Sequence, residues 1–203
     1  MVFFVAAKAH AQTTTADSAA QLTKAKEKAT QDSIKQRFLS HAVYPLLKSS
    51  KFSGVIPVND VTEKLNPNQQ YKLVLELLTG PKDSTETKDI ANGLAEAGRV
   101  INLHYAAGVP LKNLHVVLVV HGGALDALIK NEAYQKRYKT DNPNLAFLKE
   151  LQSIGVQIVA CGQAMFFFDI KSQDLVPGVK VAYSAKTAMT SYQMKGYVLH
   201  TRL

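Results

Sequence analysis

From residue 71 onward, apolar residues gather into short runs separated by polar stretches. Tyr71-Lys72-Leu73-Val74-Leu75-Glu76-Leu77-Leu78 predicts a strand, closed by the turn residues Thr79-Gly80-Pro81. Over 87–107, Ile90, Leu94, Ala97, Ile101 and Tyr105 recur at spacings of three and four, the pattern of one helical face, and Gly108 ends it. Leu114-His115-Val116-Val117-Leu118-Val119-Val120 is nearly all apolar. Such a run predicts a strand buried on both faces, which is the habit of a parallel sheet. A short helix is expected over 124–130, a polar connection over 131–142, and a helix over 143–153 with Leu145, Leu148 and Leu151 inward. Val156-Gln157-Ile158-Val159-Ala160-Cys161 predicts a third strand, and 164–170 a helix. A fourth strand over 179–183, a helix over 185–194 and a last strand over 196–200 complete the pattern.

Strands alternating with helices build successive strand–helix–strand units. The expected fold class is therefore α/β: a single domain with a mostly parallel five-stranded sheet and helices on both faces. The chain before it reads differently. Residues 12–40 are polar with a helical tendency over 19–38, Tyr44-Pro45 stops that helix, and 49–68 hold Gly54, Pro57 and Pro67 in turns or an edge element. The expected organisation is a leader remnant over 1–11, an N-terminal extension over 12–69 and the α/β domain over 70–203.

Length and composition narrow the class. The 203 residues, 46% of them hydrophobic, suit one globular domain able to bury a core. The formal net charge is +8, yet the lysines are scattered and no dense basic block with interleaved aromatics occurs. No nucleic-acid partner is expected, and the charge reads as a solvated surface. Met1 to Gln12 read MVFFVAAKAHAQ, a short apolar stretch ending in Ala9-His10-Ala11, a small-residue pattern of the kind signal peptidase cleaves. That predicts a periplasmic or secreted protein. No basic residue precedes Val2, which places the true start of such a leader upstream. No other stretch has the roughly 18 apolar residues of a membrane span.

The candidate chemistry sits in loops after strands, because ligands of open parallel sheets bind outside the strands' carboxyl ends, where strand order reverses. Three loops qualify: 79–83, His121-Gly122-Gly123, and Cys161-Gly162-Gln163. The single cysteine excludes an intrachain disulfide and a zinc site of several thiolates. Cys161 is thus a buried small hydrophobe, an intermolecular link or a reactive thiol. A thiol ahead of a helix feels unpaired N–H groups and the positive end of the dipole, which favour thiolate. Histidine is the side chain that titrates near neutrality, and His121 either serves the same mouth as a proton acceptor or is a hydrogen-bonded structural residue. Gly122 and Gly123 let backbone approach a ligand, and Gly162 and Gln163 line the other side. No nucleotide-binding glycine motif, paired-histidine metal motif or serine-nucleophile motif is present, so no cofactor and no metal are expected. Phe166-Phe167-Phe168 covers every side of a helical turn, which core packing plus a subunit interface explains.

Several of these segments together resemble the DsrE-like family of small sulfur-relay proteins, in its exported branch. They are Val116 to Val120 with His121-Gly122-Gly123, Leu148-Lys149-Glu150-Leu151 leading to Gly155-Val156, Val159-Ala160-Cys161-Gly162-Gln163, and Ala188 through Gly196-Tyr197. The resemblance covers roughly residues 70 to 203. It implies a parallel five-stranded sheet and homo-oligomers, often trimers or hexamers. It also implies a persulfide on the cysteine after the third strand, the position Cys161 matches, and a sulfur-transfer protein as partner. Export and the N-terminal extension depart from the characterised cytoplasmic relays. Two functions follow as alternatives: a sulfur carrier using Cys161 with His121 beside it, or a non-enzymatic oligomeric module that binds a small ligand and keeps an inert cysteine.

Overall fold

A computed structural model describes residues 6–201 and 203, with side chains from Ala19 onward. The chain divides into two compact units at residue 41. The first holds one helix, α1 (Ala6–His41), longer than the 19–38 expected. It is rich in Ala, Lys and Gln, which lose little entropy in a helix, and its described side chains are almost all exposed, Leu22 and Ile34 included. The leader expected over 1–11 falls partly outside the described residues; from Ala6 its backbone is the start of α1.

The second unit, 42–203, carries a five-stranded sheet in which every pairing is parallel. Its strands are β1 (Tyr71–Leu77), β2 (Leu114–Val120), β3 (Gln157–Cys161), β4 (Lys180–Ala182) and β5 (Val198–His200), in the order β4-β3-β2-β1-β5. The helices are α2 (Asn92–Ala106), α3 (Asn131–Tyr138), α4 (Leu145–Ser153), α5 (Gly162–Phe167) and α6 (Ala185–Met194). The expected α/β class with helices on both faces is what the chain forms.

Strand alternation sorts the core into two layers. Leu73, Leu75, Leu77, Val116, Leu118, Val120, Ile158 and Ala160 point to one face, where Leu94 and Ile101 of α2 and Phe147 and Leu151 of α4 cover them. Val74, Val117, Val119, Val159 and Cys161 point to the other, under Ala185 and Ala188 of α6. Double-sided burial is why β2 is an unbroken apolar run. The first three crossovers step from β1 to β4 in one direction, and α6 then returns the chain across the second face to β5. The strand order therefore reverses beside β1.

Some local expectations change. The helix expected over 87–107 is a 3-10 turn, Glu86–Lys88, followed by α2. The break falls at Ala91, which is extended and donates its N–H to Asn144 Oδ1 at 2.8 Å. The residues expected as a short helix over 124–130 form a 3-10 stretch, Gly122–Leu128, and the connection over 131–142 contains α3. Residues 42–55 pack into the second unit. Buried Asn102 donates to the carbonyls of Leu47 and Ser53 and accepts from the N–H groups of Leu46 and Leu47, while Leu47 enters the core.

Candidate functional site

Cys161 ends β3 and is the N-cap of α5. Its Sγ accepts the Ala164 N–H at 3.5 Å, one of the helix's otherwise orphaned donors. Only 5% of the residue is exposed, and its neighbours on the sheet face are Val117, Val119 and Val159. No second cysteine exists to pair with it.

His121 follows β2 directly. The β2–β3 register pairs Val120 with Ala160, so the next row sets His121 beside Cys161, one strand away and on the same face. The β1–β2 register pairs Glu76 with Val119, which puts Glu76 on that face as well. Its Oε1 lies 3.0 Å from His121 Nε2, with both side chains half-buried. A carboxylate on Nε2 holds the proton there, so the basic nitrogen of the neutral ring is Nδ1. Three groups thus share one row-and-neighbour arrangement at the carboxyl ends of β1, β2 and β3. The chain can there hold a thiol beside an oriented imidazole.

Glu76 escaped the sequence reading. The signal available was a carboxylate near the carboxyl end of the apolar run Leu73 to Leu78, a placement that demands a partner.

The glycines have a packing role. A Cβ on Gly80 would stand 2.6 Å from the Gly123 carbonyl oxygen, and one on Gly122, whose φ is +57°, 2.7 Å from Leu78 Cδ1. The loops after β1 and β2 therefore lie backbone to backbone, joined by the His121 N–H to Leu77 O at 2.9 Å and the Ala124 N–H to Leu78 O at 3.2 Å. Gly162 packs in the same way, its absent Cβ 2.9 Å from Ala182 O at the end of β4. Gln163 is exposed on α5.

Beyond the thiol, α5 shows Phe166 82% and Phe167 79% exposed, with Tyr183 exposed after β4. The two phenylalanine rings meet edge to face at 5.6 Å. Phe168 is exposed as well, so none of the three rings takes the core position expected for one of them. Among the described residues, no cluster of three His, Cys, Asp or Glu side chains is arranged to hold a metal ion. Nor is any described helix long and apolar enough to cross a membrane.

A family model for the DsrE/DsrF-like family matches residues 72–200. Among solved structures, the chain is similar to MTH1491, a protein of unknown function from Methanobacterium thermoautotrophicum. The TM-score is 0.46, with 19% identity, covering 64% of this chain and 97% of that one. It is also similar to the ychN protein from E. coli, with a TM-score of 0.45, 19% identity, and coverage of 64% and 96%. No curated protein matches the chain.

Proposed function

Given that the chain belongs to the DsrE/DsrF-like family, we propose that it accepts and carries sulfane sulfur on Cys161. What supports this reading is one juxtaposition: the only thiol of the chain stands in the row of His121, whose ring is held by Glu76. In the step, His121 takes the Cys161 proton. The thiolate attacks the outer sulfur of a donor persulfide, R–S–SH. The donor's S–S bond breaks, a new S–S bond forms on Cys161, and R–S⁻ leaves with the proton returned from His121. Sulfur changes hands with no net oxidation. Gly122, Gly123, Gly162 and Gln163 form the rim the donor meets. The donor is a sulfur-transfer protein, the chain works in the periplasm or outside the cell, and copies assemble as trimers or hexamers through the exposed phenylalanines.

Burial of Cys161 favours a second reading, a non-enzymatic oligomeric ligand-binding module with an inert thiol. Mass spectrometry after polysulfide treatment separates the two. The carrier gains the mass of a sulfur atom, and the Cys161→Ser variant gains none. An equal gain in Cys161→Ser sinks the carrier reading, and a native thiol that resists both polysulfide and alkylation establishes the inert one.

A further inference from the structure

Arg137 joins the two loops of the site. It lies in the last turn of α3, and its Nη1 pairs with Asp126, a carboxylate 5% exposed in the 3-10 stretch that begins next to His121. Its Nη2 donates to the carbonyl of Phe168 at 2.7 Å. Phe168 is the C-cap of α5, the helix whose N-cap is Cys161. One guanidinium therefore grips the segment leaving His121 with one nitrogen and the segment leaving Cys161 with another.

The far partner of Asp126 keeps this grip rigid. Its second oxygen accepts the Tyr138 hydroxyl, and the Tyr138 ring packs against Tyr134, whose hydroxyl donates to Thr87 O at 2.9 Å. Burial, with the Asp126 charge as a smaller cause, pushes the Tyr134 phenol up to about 12. Burial and the Asp126 hydrogen bond push Tyr138 the same way, so both remain hydrogen-bond donors.

Helix α5 has few other attachments. It is six residues long, Met165 is its only fully buried side chain, and Phe166 and Phe167 face solvent. Its first turn is tied by the Ala164 N–H to Cys161 Sγ, and its exit by the Ile170 N–H to Met165 O at 2.9 Å. That exit passes through Asp169 at φ 47°, a left-handed conformation non-glycine residues seldom adopt. A cation on the last carbonyls also meets the negative end of the helix dipole. Arginine suits the task because its planar fork serves two acceptors at once, whereas a lysine ammonium is a point charge.

We infer that Arg137 is a positioning residue that keeps the first turn of α5 seated on its N-cap Cys161 and holds the His121 and Cys161 loops in their shared row, so that release of its bond to Phe168 O frees that turn and opens the thiol to a sulfur donor. The inference rests on Cys161 being the working thiol. Its test does not need sulfur transfer to succeed.

The experiment is the rate of iodoacetamide alkylation of Cys161 in the full chain, followed at several urea concentrations below the unfolding transition. Arg137→Ala is expected to react about tenfold faster than wild type or more, the factor a lost charge-assisted hydrogen bond supplies. The gain should not steepen with urea, because the opening is local. Arg137→Lys, which keeps the charge but meets one acceptor at a time, should fall between the two. A wild-type rate in Arg137→Ala overturns the inference, as does a gain that follows the urea slope of global unfolding. Should Arg137→Ala fail to fold, a wild-type rate in Arg137→Lys overturns it. Polysulfide mass gain, measured separately, reports on the carrier reading alone.

Discussion

Glu76 and His121 are separated by 45 positions in the chain and by one hydrogen bond in space. The pair matters because an imidazole without a fixed partner samples both tautomers and many orientations, while a carboxylate on Nε2 selects one. If His121 moves the thiol proton, His121→Ala should slow sulfur uptake by Cys161 about a hundredfold, the scale of a lost general base. Glu76→Gln keeps a hydrogen-bond partner but removes the charge, and its loss should be smaller. Time-resolved mass spectrometry of the polysulfide reaction checks both, and a wild-type rate in His121→Ala would remove the imidazole from the step. Cys161 and His121 were readable as residues after strands. Glu76 was not singled out, because its importance comes from a partner on another strand.

Among the elements, the two loops beside the site are held by absence of side chains. Gly80 faces Gly123 across a gap too small for a Cβ, and the obstacle is main chain, which cannot swing aside as a side chain would. Gly80→Ala should therefore destabilise the protein by about 2 kcal/mol, in the range of overpacking, and should displace the loop that starts at His121. Urea denaturation measures the first effect, and an unchanged midpoint would contradict the packing account. Element type was legible where the apolar period was long, as in β2 and α2. It was lost in α3, whose inward residues are little more than Tyr134 and Tyr138 among charged neighbours. At 122–128 a short helix was legible but not its 3-10 form or its bounds, since five successive residues, Ala124 to Leu128, are buried and no single helical face stands out.

For the whole molecule, the open question is what meets the phenylalanines of α5. Two large rings in water beside a site are uncommon on a chain that works alone. Copies joined through them should sediment as an assembly at micromolar concentration, and Phe166→Asp with Phe167→Asp should reduce it to single chains. A wild-type chain that sediments as a monomer would end the oligomer proposal. The polar helix α1 forms a unit of its own. Its length exceeds the expected 19–38 chiefly because the alanine-rich sequence before Ala19 sustains a helix without an apolar stripe to reveal it.

The sequence by itself determined the class of fold and the position of the thiol. Runs buried on both faces, alternating with helical periods, call for a parallel sheet covered on both sides, and the residue ending such a run then emerges at the sheet's carboxyl edge. Tertiary structure alone decided the strand order, the register that aligns Cys161 with His121 and brings Glu76 to His121, and the bridge from Asp126 through Arg137 to Phe168. The reason is physical. Periodicity is a property of neighbouring residues, whereas register and bridging come from hydrogen bonds and packing between segments far apart in the chain.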